Sequence, residues 1–112
     1  MDFTDLHPDE RLALVALSRA IVRADGVVSP LEGRRVGRLA MELGEEVYRQ
    51  AFAQSVDYFA DEAALKRFLE SIQRPEARAL IYDTILDLAA VDELSPAEEP
   101  LLRWLEAAWQ IA

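Results

Sequence analysis

The chain has 112 residues and a mass of 12.6 kDa, the size of one ordinary domain. Hydrophobic residues make up 52% of it and charged residues 29%, so intrinsic disorder is excluded as the default. The net charge of −9 repels a phosphate backbone, and the absence of cysteine excludes disulfides, thiolate nucleophiles and cysteine-based zinc sites. We expect a single globular domain over residues 1–112 that does not bind nucleic acid.

Neither the first residues nor the apolar stretches predict export or membrane insertion. Met1–Asp5 is acidic, where a secretory signal needs a positive segment. The longest apolar stretch, Leu12–Val22, is interrupted by Ser18 and Arg19 and is shorter than the ~20 residues that span a bilayer. We therefore expect a cytoplasmic protein without a transmembrane segment.

Apolar residues recur at helical spacing along nearly the whole chain, and no segment alternates apolar and polar residues as a strand does. This pattern predicts an all-α protein. The first helix is predicted to begin at Pro8, with acidic residues near the positive end of its dipole, and to stop at Asp25 and Gly26.

A capping box predicts the start of the second helix. Ser29 is placed to cap it, Pro30 to begin it, and Glu32 to occupy its third position, while Gly44 is placed to end it. Its predicted apolar face consists of Val36, Leu39, Ala40 and Leu43.

Four further helices complete the prediction. The third begins near Glu45, the fourth is capped by Asp61, the fifth runs from Pro75 to about Val91, and the sixth runs from Ser95–Glu98 to Trp109. The predicted buried residues of the third helix are Val47, Ala51, Phe52, Val56 and Phe59, and those of the fourth are Leu65, Phe68, Leu69 and Ile72. The sequence thus predicts a compact bundle of about six helices.

One sequence element occurs twice. Ala24–Glu32 reappears one residue shorter as Val91–Glu98, and both copies run from an apolar helix through an Asp to Ser-Pro-x-Glu. This internal repeat predicts two related helix-loop-helix units that flank a central helix pair. Repeated units pack against one another, which would bring the two Asp-containing loops to comparable positions.

An apolar helix ending in Ala-Asp-Gly, then Ser-Pro-x-Glu, then a helix ending in Leu-Gly resembles the TerB-like family over Leu12–Leu105. That family comprises the tellurite-resistance TerB proteins and the N-terminal domain of DjlA co-chaperones. The resemblance implies an all-helical, non-enzymatic domain, and it implies a metal or partner site at Asp25, Glu32, Asp92 and Glu98. The chain departs from the pattern because no Gly follows the second Asp.

These four carboxylates are the only predicted site. Carboxylate oxygens suit Ca²⁺ or Mg²⁺, although the spacing is not that of an EF-hand. The structural alternative is that the Asp residues form ordinary turns and the Glu residues ordinary caps, and the sequence leaves both open. Three further acidic residues lie nearby in the chain: Asp83, Asp87 and Glu99.

The basic residues and the lone histidine predict structural roles. Arg34, Arg35 and Arg38 are the densest basic cluster, and we expect them to form salt bridges with the protein's own acids, Glu42 among them, rather than to bind an anion. His7 precedes the first predicted helix and has no second histidine to join it in a ligand set.

Two functional hypotheses remain open. In the first, the acidic loops bind a divalent cation or a basic partner, in a tellurite or stress response. In the second, the protein is a homodimeric interaction module without a metal site, using an apolar patch around Trp104 or Trp109. An enzyme that uses a carboxylate pair comes third, because the sequence holds no nucleophile motif, phosphate loop or cofactor fingerprint.

Overall fold

The computed structural model describes residues 1–24, 30–89 and 99–111, except for the side chains of residues 23, 24 and 32. These ranges contain six α-helices and no strand, which confirms the predicted all-α class. The elements are a 3₁₀ turn (Phe3–Asp5), α1 (Pro8–Ala24), α2 (Pro30–Leu43), α3 (Glu45–Tyr58), α4 (Glu62–Glu70), α5 (Pro75–Ala89) and α6 (Glu99–Ala108).

Local signals set most helix boundaries where the sequence predicts them. α1, α2 and α5 begin at Pro8, Pro30 and Pro75, since a proline at the first helical position has the required φ and lacks only an N–H that would be unpaired there. Asp61 caps α4 and accepts a hydrogen bond from the backbone N–H of Ala64 at 2.7 Å. The predicted opening of the sixth helix at residues 95–98 lies outside the described residues.

Gly44 joins α2 to α3. Its φ of +100° lies in a region that side-chain-bearing residues rarely adopt. Because this single residue ends α2 and precedes α3, the two helices form a tight pair, as the predicted stop at Gly44 implies.

α1 is the central helix of the fold. All six residues of Leu12–Leu17 are buried, as are Ser18 and Ile21, and α1 contacts α3, α4 and α5. A helix segment that is apolar on every side belongs inside a protein. The buried Ser18 hydroxyl has a hydrogen-bond partner, because it donates to the Val15 carbonyl at 2.7 Å. The middle of α1 is therefore buried on all sides.

The predicted buried face of α3 is partly wrong. Phe52 and Val56 are 38% and 45% exposed, whereas Ala51 and Ser55 are buried. The small side chains face the core because they let α3 approach α1 closely, and the Ser55 hydroxyl donates to the Phe52 carbonyl at 2.7 Å. The larger apolar residues are left on the surface.

The helices pack into a compact body with a Cα radius of gyration of 12.8 Å, close to the ~13 Å expected for a folded chain of this length. Within the described ranges, no helix combines the length and the apolar character needed to cross a membrane.

Candidate functional site

The four carboxylates predicted to bind a metal fall largely outside the part of the chain that the structure describes. Asp25, Asp92 and Glu98 lie outside the described residues. Glu32 occupies the third position of α2, where a capping glutamate is placed, and its side chain is also outside them. The structure describes the helix ends that lead into these segments.

An ion pair between a buried carboxylate and a partly exposed guanidinium joins the start of α1 to the residue before α5. The Glu10 side chain is 3% exposed, and its two oxygens accept hydrogen bonds from the Nη2 and Nε of Arg74 at 2.5 and 2.8 Å. It also accepts the His7 backbone N–H at 2.7 Å. The hydrogen bonds from Arg74 lower the pKa of Glu10, against the opposing effect of burial, so the carboxylate is charged at neutral pH.

This ion pair fixes the relative direction of α1 and α5. The two helices start beside each other at Glu10 and Arg74, pack together and have 17 and 15 residues, which correspond to about 26 and 23 Å. Because they share a starting point and have similar lengths, their last residues, Ala24 and Ala89, lie toward the same end of the molecule.

α2 runs in the opposite direction beside α5. The Arg35 Nη1 lies 3.2 Å from the Asp87 Oδ2, so the first half of α2 lies beside the last turn of α5. The later part of α2 lies beside the 3₁₀ turn, and the carbonyl of Asp5 in that turn accepts a hydrogen bond from Arg74 at 3.1 Å. The start of α2 therefore shares the end of the molecule at which α1 and α5 terminate.

A groove of about 320 Å³ separates α2 from α5. Its charged lining residues are Arg35, Arg38, Glu42, Asp83 and Asp87. The Arg38 Nε lies 3.2 Å from Glu42, so two of the three clustered arginines form the salt bridges predicted for them. Among the described residues, Arg34 forms none.

Two of the three additional carboxylates near the predicted site are held by arginines. Asp87 pairs with Arg35, and the Glu99 Oε1 lies 3.6 Å from the Arg103 Nε. Asp83 is exposed. The side chains of both pairs are 41% to 63% exposed, and exposed ion pairs are weak, so Asp87 and Glu99 remain surface carboxylates that pair with an arginine.

His7, Asp9 and Glu10 form the one group of potential metal ligands among the described residues, with ligand atoms within 4.8 Å of one another. The Glu10 oxygens already accept hydrogen bonds from Arg74 and from the His7 backbone, and Asp9 accepts the Glu10 N–H at 2.9 Å. The cluster therefore caps α1, and His7 stands immediately before the helix as predicted.

A second polar cluster connects α5 to α6. The buried Tyr82 hydroxyl donates to the Glu106 carboxylate at 2.5 Å, and Arg103 donates to the same carboxylate at 3.1 Å. Burial and the hydrogen bond to Glu106 raise the pKa of Tyr82 to about 12. The hydrogen bonds from Tyr82 and Arg103 lower the pKa of Glu106.

Sequence analysis identifies neither of these clusters. Glu10 and Arg74 lie 64 positions apart, and Tyr82 and Glu106 lie 24 apart, so no local spacing connects them. The only available signal is that Glu10 occupies the third position of a helix, which is equally the position of an ordinary cap.

The two tryptophans differ in exposure. Trp109 is 3% exposed, and its indole N–H donates to the Leu69 carbonyl at 2.9 Å. Trp104 is half-buried, with the Lys66 Nζ 5.2 Å from its ring centroid. Trp109 therefore completes the core, and the structure does not place an exposed patch around it.

Comparison with known proteins identifies the family. Residues 11–112, nearly the whole chain, match the family described as tellurite resistance protein TerB. No curated protein and no solved structure gives a significant match. The match includes the repeated segments, α1 from its fourth residue onward and the other five helices, so the chain belongs to the TerB family.

Proposed function

We propose that this TerB-family domain acts by binding rather than by catalysis, and that it takes up a divalent cation, Ca²⁺ or Mg²⁺, through Asp25, Glu32, Asp92 and Glu98. Carboxylate oxygens are the ligands that these hard cations prefer. The family match supports a role in tellurite resistance, and the proposal places the cation at the centre of that role.

One observation carries the proposal. The Glu10–Arg74 pair joins the start of α1 to the start of α5, and the Arg35–Asp87 contact shows that the first half of α2 lies beside the end of α5. The sequence then places an acidic segment directly after each of α1 and α5. This arrangement supports a shared site, because ligands of one ion must approach within a few ångströms of each other.

An NMR titration of the chelator-treated protein with Ca²⁺ and Mg²⁺ tests the cation site. We expect saturable amide shifts confined to residues 25–32 and 92–99. Asp25→Ala and Asp92→Ala should each abolish them, whereas Asp57→Ala, an exposed substitution on α3, should not. Diffuse shifts that do not saturate, or saturable shifts that survive both substitutions, would refute the proposal.

The proposal also includes a protein partner and a cytoplasmic location. Residues 57–112 carry 5 basic and 12 acidic residues, a net charge of −7, against 7 and 9, a net charge of −2, in residues 1–56. This asymmetry supports a basic partner at the acidic half. Sedimentation velocity tests the alternative of a homodimer, and fractionation of cells expressing the protein tests its location.

A further inference from the structure

A groove of about 840 Å³ lies between α2 and α3, and its described lining residues include none of the four carboxylates proposed to bind the cation. We call it the α2–α3 groove. Each helix lines it with residues at the spacing i, i+3, i+4, i+7, namely Arg34, Gly37, Arg38 and Met41 on α2 and Glu45, Tyr48, Arg49 and Phe52 on α3. This spacing forms one face of a helix, so one face of α2 and one face of α3 border the groove.

The floor of the α2–α3 groove is apolar and open. Met41 is 73% exposed and Phe52 38% exposed, while Tyr48 is half-buried between them and α1. A Cβ at Gly37 would meet no atom within 4 Å, so nothing among the described residues covers the α2 backbone there. A contiguous apolar surface of this kind is typical of an interaction site.

Arginines border this apolar floor. The residues lining the groove include three arginines and one carboxylate, in a chain whose net charge is −9. Arg38 and Arg49 each pair with a glutamate one turn away at 3.2 Å, and these side chains are 42% to 75% exposed. Exposed pairs of this kind are weak, so the guanidinium groups are available to a more acidic partner.

From this geometry we propose that the α2–α3 groove binds an acidic amphipathic helix of a partner protein. The partner's apolar side chains lie on Met41, Tyr48 and Phe52, and its carboxylates meet Arg34 and Arg49. A second copy of the chain is the less favourable occupant, because a symmetric contact would set the arginines of one groove against those of the other.

A designed peptide tests the proposal on the full-length protein. The probe is an 18-residue helical peptide with Leu at i, i+3, i+4 and i+7 and Glu on both flanks, labelled with a fluorophore. We expect saturable binding by anisotropy and amide shifts confined to residues 30–58. The matched peptide with Gln in place of Glu should bind about tenfold more weakly at low salt.

Protein variants locate the contact. Met41→Ser and Arg34→Glu change exposed side chains, so the fold should persist by circular dichroism while affinity falls about tenfold. The matched controls are Leu86→Ser on α5, which is 38% exposed, and Arg67→Glu on α4, which is also exposed. Both controls should bind normally.

Three results would overturn the proposal. The first is equal affinity for the Glu and Gln peptides. The second is an amide-shift map that falls on α5 or α6 instead of α2 and α3. The third is a concentration-dependent self-association that Met41→Ser abolishes, since the groove would then be occupied by a second copy of this chain.

Discussion

Replacing Glu10 with glutamine tests whether the ion pair between α1 and α5 stabilises the fold. The amide keeps the shape of the side chain but removes its charge. Its NH₂ group cannot accept a hydrogen bond, so at least one N–H of Arg74 or His7 that bonds to the carboxylate loses its acceptor. The Glu10 side chain is 3% exposed and the Arg74 side chain 33% exposed, so water replaces the lost bond only on the arginine side. Hydrogen bonds to charged groups contribute about 1.5–3 kcal/mol, so we expect Glu10→Gln to lower the free energy of unfolding by about 2 kcal/mol and Tm by about 8 °C.

The effect of Glu10→Gln should depend on pH with a definite sign. The pKa of Glu10 lies below 4.5 in the folded protein, whereas the unfolded chain keeps the ordinary value. The stabilisation by the charged carboxylate is therefore complete above about pH 5 and is lost as pH falls through the folded pKa. The difference in unfolding free energy between the wild type and Glu10→Gln should be constant from about pH 5 to 7 and shrink below it.

Urea unfolding followed by circular dichroism, at a series of pH values from 3.5 to 7, measures this difference. Glu46→Gln is the matched control, because Glu46 pairs with Arg49 on the surface of α3 with both side chains at least two-thirds exposed. Glu46→Gln should lower the free energy of unfolding by no more than about 0.5 kcal/mol. The reasoning would be refuted if both variants lowered the free energy of unfolding equally. It would also be refuted if the difference in unfolding free energy between the wild type and Glu10→Gln stayed constant down to pH 3.5.

Three further predictions concern stability. Gly44→Ala should lower the free energy of unfolding by about 1–3 kcal/mol because the φ of residue 44 is +100°. Gly37→Ala should raise it by about 1 kcal/mol, because alanine favours a helix and the added Cβ meets no atom within 4 Å. Thermal unfolding measures both changes. The pKa of Tyr82 is raised to about 12, so the free energy of unfolding of the wild type should fall as pH rises from 10 to 12. The free energy of unfolding of Tyr82→Phe should fall less over the same range, and the phenolate absorbance near pH 12 should be lower in the variant. Asp61→Ala removes the α4 cap and should cost about 1 kcal/mol by urea unfolding, while Asp57→Ala, at an exposed position near the end of α3, should not destabilise the protein.

Helix boundaries are predictable because neighbouring residues determine them. Pro8 begins α1, Asp61 caps α4 and Gly44 ends α2, and in each case the cause lies within one turn of the boundary. The buried face of α3 is different, because apolar residues occur on two sides of that helix. The side of α3 that packs against α1 is the one with small residues, so Phe52 and Val56 remain exposed.

The candidate site is less predictable than the fold for the same reason. Sequence analysis identifies the acidic segments because they repeat, but it cannot determine which helix ends meet. That arrangement appears only in contacts between distant parts of the chain, such as the Glu10–Arg74 pair, whose members lie 64 positions apart, and the contact between Arg35 and Asp87. Each of these residues taken alone has the pattern of an ordinary surface charge.

The two proposed sites share α2, and this links them physically. Glu32 lies in the first turn of α2, two residues before Arg34, which borders the α2–α3 groove. A cation bound near Glu32 would make the potential at the groove more positive, so Ca²⁺ should strengthen binding of the acidic peptide, and by linkage the peptide should strengthen binding of Ca²⁺. Because the Debye length is ~8 Å at physiological ionic strength, the coupling should weaken as salt is added. Peptide anisotropy titrations with and without Ca²⁺ at two salt concentrations measure it. An unchanged affinity in Ca²⁺ would show that the two sites act independently, and a lower affinity would contradict the predicted sign of the coupling.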